Sequence, residues 1–182
     1  MATTRDRALD AAIELLGTGG LRALTHARVD ERAGLPKGST SNYFRTRATL
    51  LAGTVDRILE RELAEIGEPS SPTTAAELVD ALCGFVVYGT SVNRTLTTAR
   101  MVLFMEGSHN TEIREAVSRG RAVMESWAVA VLTGLGAPDP TTAATALAAV
   151  SEGLVLHRIA RHDETDPRPA VELMVRAALA GP

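Results

Sequence analysis

From Lys37 to Asn42 the sequence KGSTSN sets one ammonium, three hydroxyls and one carboxamide in six consecutive positions, with no apolar side chain among them. Short polar groups beside a cation suit the donor and acceptor edges of bases in a major groove, and the phosphates that flank them. Lys37 is the one lysine among nineteen basic residues. Ser39, Thr40, Ser41 and Asn42 are mediocre helix formers, roughly 0.5 kcal/mol each worse than alanine. A cation at a helix N-terminus also opposes the macrodipole. A segment that contradicts local preference in this way marks function rather than packing.

Such a stretch needs elements to hold it. Thr25 has the hydroxyl of a good N-cap. Ala27 to Ala33 predicts a two-turn helix with Val29 and Ala33 on its apolar side, and Gly34 ends it through positive φ. Leu35 is expected as a buried anchor in the turn. Pro36 suits the first position of a second helix running from Lys37 to Tyr43, with Tyr43 and Phe44 as its apolar grip. Upstream, Thr3 and Asp6 have capping-box spacing for a first helix over Thr3 to Leu16. Leu9, Ala12, Ile13 and Leu16 fall on one side of it, and Gly17, Gly19 and Gly20 are expected to end it. A two-helix turn cannot bury its own apolar face, so this first helix completes a three-helix head over residues 1–47.

The helix, Gly-Leu turn, Lys-Gly-Ser, aromatic pair, Arg-Thr-Arg and Leu-Leu, taken together, resemble the DNA-binding head of the TetR family of bacterial regulators over about residues 5 to 60. The resemblance implies a helix-turn-helix head that contacts bases or phosphates through Lys37, Gly38, Ser39, Ser41 and Asn42. It implies backbone anchoring through Thr25, Tyr43 and Arg47. His26, next to the cap, is read as touching a phosphate, and Arg28 joins the same DNA-binding set. The chain departs from the family pattern in three places. A bulky apolar residue and then tyrosine are usual where Thr40 and Ser41 stand, a small residue where Asp30 stands, and an N-cap serine where Pro36 stands.

The net charge of −3 is unevenly distributed. Residues 1–47 hold eight basic and five acidic side chains, net +3, so the remainder carries −6. A basic head on an acidic body is the asymmetry of a protein that docks nucleic acid at one end. Aromatic residues make up 3% of the chain, so its core is expected to be aliphatic. No apolar run approaches the ~20 residues that cross a bilayer and no signal segment opens the chain, which predicts a cytoplasmic address without membrane contact. The single cysteine, Cys83, excludes an internal disulfide and reads as a small core residue rather than a redox sensor. His26, His109, His157 and His162 lack metal-ligand spacing. No catalytic constellation is visible, so neither an enzyme nor a bound metal or cofactor is expected.

The fold class expected is all-α, with about nine helices: the head, then a helical-bundle body for ligand binding and dimerisation over residues 48–182. Thr46 caps a long fourth helix to about Ile66, striped by Leu51, Val55, Ile58, Leu59, Leu63 and Ile66, with Arg57, Glu60, Arg61 and Glu65 on a solvated face. Gly67 to Thr73 reads as a break, followed by helices starting at Thr74, Asn93 or Thr95, Asn110, Asp139 and Asp166. Phe85, Tyr88, Met101, Phe104, Met105, Val123, Met124 and Trp127 form a cluster with methionine among aromatics, suited to a variable partner. The bare residues allow a plain core there. The resemblance implies a site for a small-molecule effector. The helix over 140–161 is apolar nearly all round and needs burial on a second side. Ala146, Ala149, Val150, Gly153, Leu154 and His157, with Met174, Val175 and Ala178 of the last helix, are expected to face a second copy. The implied protein is a homodimeric repressor on an inverted-repeat, double-stranded DNA operator, released by a small apolar or amphipathic ligand. The alternatives are an activator without effector, or a helical carrier or enzyme with a vestigial head.

Overall fold

Hydroxyl, carboxylate and amide caps set the helix starts. The computed structural model describes residues 2–66 and 71–180, with Glu65 and Ile66 by backbone alone. Among these residues it has nine α-helices and no strand. They are α1 (Thr4–Gly19), α2 (His26–Ala33), α3 (Ser39–Tyr43), α4 (Arg47–Ile66), α5 (Ala75–Thr90), α6 (Arg94–Glu106), α7 (Thr111–Gly134), α8 (Pro140–Ala160) and α9 (Arg168–Ala180), with a 3-10 turn at Leu21–Ala23. Thr3 and Asp6 exchange both capping-box bonds at 3.1 Å. Thr46 and Thr49 do the same for α4, at 3.2 and 3.1 Å. Thr74 Oγ1, Asn110 Oδ1 and Asp139 Oδ1 accept first-turn N–H bonds of 3.2, 3.2 and 3.1 Å. Of the expected break at Gly67 to Thr73, residues 67–70 lie outside the described residues, as does the side chain of Ile66 at the end of the α4 stripe.

Two helix ends depart from expectation for identifiable reasons. α1 runs on through Gly17 to Gly19, and Gly20, at φ 66°, ends it. Gly17 is there for space: a Cβ on it would lie 2.1 Å from the Thr95 carbonyl oxygen. The second departure is α3, which begins at Ser39 rather than at Pro36 or Lys37. Ser39 N–H closes a turn onto Pro36 O at 3.1 Å. Gly38, at φ 87° and ψ −6°, holds the left-handed conformation a type II turn requires at its third position.

Contacts gather the chain into two units that do not follow sequence order. One comprises Met1–Gly67 and Thr95–Gly120; the other comprises Glu68–Arg94 and Arg121–Pro182. In the first unit Leu9, Ile13 and Leu16 of α1 share a core with Leu24, Val29, Phe44, Leu50, Leu51 and Ile58. Leu96, Ala99 and Leu103 of α6 and Ile113 of α7 complete that core. Along the α4 stripe Leu51 and Ile58 are buried, whereas Leu63 is 40% exposed. Arg57, expected on a solvated face, instead makes a two-pronged ion pair with Asp10 of α1, at 2.9 and 3.0 Å. Glu62 pairs with Arg100 of α6, and Asp56 with Arg119 of α7, each at 3.2 Å.

The second unit packs α5, α8, α9 and the later part of α7 around Leu78, Val79, Cys83, Leu132, Leu147, Val171 and Val175. Arg94 and Arg158 clamp the end of α8, donating to Ile159 O at 3.0 Å and Thr90 Oγ1 at 2.8 Å. α8 buries Ala143, Ala144, Leu147, Ser151 and Val155, and leaves Leu156 48% exposed. The 21 residues of α8 reach a mean hydropathy of 1.2 in an 18-residue window, because alanine, valine and leucine outnumber the interleaved Thr145, Ser151 and Glu152. α8 is the one single helix among the described residues that meets this measure.

Glycine roles inside the helices are separable by experiment. Gly17→Ala is expected to lower stability by about 1–3 kcal/mol, because the added methyl meets backbone and overpacking outweighs the helix-propensity gain. Gly84→Ala in α5, where a Cβ would meet nothing within 4 Å, is expected to raise it by about 0.4–1 kcal/mol. Urea midpoints of the two variants check both signs.

Candidate nucleic-acid interface

The turn between α2 and α3 is built from backbone bonds that leave α3 outermost. Thr25, in an extended conformation, accepts Arg28 N–H on its hydroxyl at 3.3 Å and starts α2. Gly34, at φ 62° and ψ 38°, ends α2 in the left-handed conformation glycine adopts without strain. Leu35 N–H returns to Asp30 O at 2.8 Å, and the partly buried Leu35 side chain packs against the first core. Arg7 of α1 donates to Ala33 O at 2.6 Å and caps the carbonyls that α2 leaves unpaired.

Asp30 occupies the centre of this motif. It is 3% exposed, and its side chain receives the start of α3. Its Oδ2 accepts Gly38 N–H at 2.7 Å, and its Oδ1 accepts Thr40 N–H at 2.8 Å and the Thr40 hydroxyl at 2.5 Å. Thr40 is fully buried. The carboxylate therefore does from α2 the work of the N-cap that Pro36 does not supply, and two departures from the family pattern, Asp30 and Thr40, are partners. Burial is the largest single influence on the Asp30 carboxyl and pushes it up. The Thr40 hydroxyl, the Thr40 and Gly38 N–H groups and nearby His26 together push it further down, so it stays below its ordinary value of 3.8.

The predicted DNA-facing residues divide into outward and inward groups. Arg28, Lys37, Ser41, Asn42 and Tyr43 are exposed and Ser39 is half-buried. Thr25 is exposed, with its hydroxyl on its own helix. Gly38 has its N–H on Asp30, so its part is the turn it permits. His26 Nε2 meets Phe44 O at 2.7 Å, which ties the start of α2 to the end of α3. Arg47 donates to Leu21 O at 2.5 Å and also to Leu24 O, and so caps the 3-10 turn. Arg22 and Arg45 were not among the predicted residues. Both are exposed and, among the described residues, neither has an ion pair or hydrogen-bond partner. The Arg-Thr-Arg motif contains both Arg45 and Arg47, both exposed, and nothing in their type distinguishes the one that caps the 3-10 turn.

In the body, Phe85, Tyr88, Val123, Met124 and Trp127 belong to the second unit, and Met101, Phe104 and Met105 to the first. Phe85, Tyr88 and Val123 are 40, 45 and 47% exposed. Trp127 packs against the second core, yet its buried indole N–H has no partner among the described residues. Of the residues expected to face a second copy, Val175 is 2% exposed and belongs to the protomer's own core. Ala149 and His157 are exposed; Ala146, Val150, Gly153, Leu154, Met174 and Ala178 are half-buried. Leu156 and Leu173, at 48 and 62%, are exposed beside them and were not predicted. Cys83 is buried, and burial pushes its thiol up, away from the reactive thiolate. Among the described residues no three His, Cys, Asp or Glu side chains come together as a metal site.

A short helix with an outward polar face, held across a glycine turn by the helix before it, defines a helix-turn-helix DNA-binding head, here joined to a helical body. Residues 8–54 match the model of the bacterial regulatory proteins of the tetR family, and residues 73–181 match the tetracyclin repressor-like C-terminal domain. The chain therefore belongs to the TetR family and is a DNA-binding transcriptional regulator. A transcriptional regulator from Rhodococcus sp. Rha1 has the same fold at TM-score 0.84 and 21% identity, covering 97% of this chain and 96% of that one. A TetR transcription regulator from Haloarcula marismortui ATCC 43049 aligns at TM-score 0.82 and 17% identity, over 96 and 97% of the two chains. The multidrug binding protein EbrR complexed with ethidium aligns at 0.78 and 23% identity, over 94 and 96%. No match was found among curated proteins.

The Asp30 bonds carry a pH signature. A carboxyl held low in the folded protein contributes stability that is present above its unfolded value and lost as pH falls through the folded one. Asp30→Asn is expected to cost about 1–3 kcal/mol at pH 7, since it turns a donor toward Gly38 N–H. That gap should shrink as pH falls below about 4, where wild type loses the same contribution. Urea midpoints of both proteins between pH 7 and pH 3 check it.

Proposed function

We propose that the protein is a cytoplasmic, homodimeric repressor that reads an inverted-repeat operator through α3 and leaves it on binding a small apolar or amphipathic molecule. The observation that carries DNA reading is the outward face of Ser39, Ser41, Asn42 and Tyr43 on α3. Lys37 stands just ahead of it, and Arg22, Arg28 and Arg45 are exposed on the same unit without carboxylate partners. These cations would meet phosphates, while the short polar groups meet base edges. Selection of bound fragments from random duplexes would recover a two-fold motif, because two copies of one head on a symmetric body read inverted half-sites. Lys37→Ala and Arg45→Ala should each reduce the salt dependence of binding by about one phosphate contact. Arg47→Ala should leave that slope unchanged and lower stability instead. Equal slopes for all four proteins would overturn this assignment of cations.

The dimer reading is supported by the exposed Leu156 and Leu173 beside Ala149 and His157 on α8 and α9. Leu173 is 62% exposed in one protomer, so an arginine there is harmless to a monomer but unpaired in a covered interface. Leu173→Arg is expected to yield folded monomers in sedimentation. Wild-type protein that sediments as a monomer at micromolar concentration would refute the dimer.

The effector reading is supported by the partly exposed Phe85, Tyr88 and Val123, and by the buried N–H of Trp127, which a ligand acceptor would satisfy. EbrR, of like fold, is described as a multidrug binding protein and is complexed with ethidium in one structure and proflavin in another. Repression is favoured by the match of the body to a tetracyclin repressor-like domain. A ligand that weakens DNA binding must bind the DNA-free arrangement more tightly, and by reciprocity operator DNA weakens ligand binding by the same factor. Trp127 is the one tryptophan, so its emission reports occupancy directly. Phe85→Ala and Met124→Ala should blunt that response while ligand-free DNA binding persists. A releasing compound that leaves Trp127 emission unchanged and binds both variants undiminished would place the site elsewhere.

A further inference from the structure

α3 has five residues, and the side chain of its second, Thr40, points away from solvent into a bond with Asp30. The contacts on the two ends of α3 come from one face of α2, because His26 and Asp30 stand four residues apart. His26 meets the Phe44 carbonyl just beyond the end of α3; Asp30 takes the Gly38 and Thr40 N–H groups at its start. Three donors on one buried carboxylate specify an orientation as well as a distance, since both oxygens are engaged and the first turn cannot swing without breaking at least one bond. The residues on either side of Thr40, Ser39 and Ser41, are the ones offered to base edges. A small rotation of the first turn would displace both.

We propose that Asp30 is the positioning residue for base reading: through Gly38 and Thr40 it sets the angle at which Ser39, Ser41 and Asn42 are presented, and so determines sequence discrimination without touching DNA. The inference rests on the reading that α3 enters the groove. It assigns two separate roles within one head. The exposed cations set how tightly any duplex is held, and the buried carboxylate sets how well one sequence is told from another.

The test uses the full-length protein with two duplexes, the one most enriched from a random pool by wild type and a scrambled version of it. Asp30→Asn, Thr40→Val and Thr40→Ser are compared with wild type at a temperature where urea unfolding shows each to be folded. The discrimination ratio, enriched over scrambled, is expected to fall about tenfold to a hundredfold in Asp30→Asn and Thr40→Val. Affinity for the scrambled duplex and its salt slope should stay at the wild-type value. Thr40→Ser keeps the hydroxyl and should retain the wild-type ratio. If Asp30→Asn does not fold, Thr40→Val decides, because it keeps both backbone bonds and loses only the hydroxyl one. A wild-type ratio in folded Thr40→Val would overturn the proposal, as would a Thr40→Ser loss as large as that of Thr40→Val. A uniform loss of affinity for both duplexes would reduce Asp30 to a stability role and overturn it too. Wild-type protein that enriches no duplex would instead overturn the groove reading, and this inference with it.

Discussion

A helix of five residues has no stability of its own. Nucleating a first turn is unfavourable, and α3 ends before propagation can compensate. Its residues are also poor helix formers, so every constraint on its position must come from neighbours. The constraints are local and of different kinds. Asp30 holds its start, His26 holds its end, and Phe44 drives the chain beyond it into the core with 5% of its surface exposed. Phe44 needs room to do this: a Cβ on Gly53 of α4 would stand 2.8 Å from the Phe44 ring. Arg5 of α1 covers the ring at 5.6 Å. α1, α2 and α4 therefore act as the frame of a short polar segment whose outward face has no packing duty.

Helix starts were legible in the sequence because caps are local. Thr3 with Asp6, Thr25, Thr46, Thr74, Asn110 and Asp139 act within three or four residues of themselves, and each stands where its spacing implied. Contacts across long separations were not legible. Gly17 looks like a terminator until the Thr95 carbonyl is seen beside it. Asp30 looks like an anomaly until Thr40 is seen donating to it, and the bonds of His26 with Phe44 O and of Arg47 with Leu21 O and Leu24 O join positions too far apart for local spacing to reveal. Pro36 suited a helix start by its fixed φ, but Gly38 at positive φ moved the start to Ser39. In the body, composition implied apolar helices without indicating which side faces inward, and Val175 proved to be core where partner contact was expected.

The eight basic side chains of the head are all exposed, yet half of them are engaged within the protein. Arg7 and Arg47 satisfy backbone carbonyls, Arg32 pairs with Glu14 at 3.4 Å, and Arg5 lies over Phe44. Arg22, Arg28, Lys37 and Arg45 have neither a carboxylate nor a carbonyl partner among the described residues. Guanidinium suits carbonyl capping because its planar fork reaches two acceptors at once, as Arg47 does on Leu21 and Leu24.

The first core draws Leu96, Ala99 and Leu103 from α6 and Ile113 from α7, residues some forty positions and more beyond the end of the segment, residues 8–54, that matches the family's head. The reading head is thus not a cassette. Splicing residues 1–54 onto a foreign receptor body would remove Ile58, Leu96, Ala99, Leu103 and Ile113 from the shared core unless the recipient supplied equivalents of those side chains. The Thr95 carbonyl against Gly17 adds a backbone-to-backbone seam that a recipient must also match. A change of specificity in this chain is therefore expected to be reached by substitution on α2 and α3, where contacts stay inside the motif, rather than by exchange of the whole head.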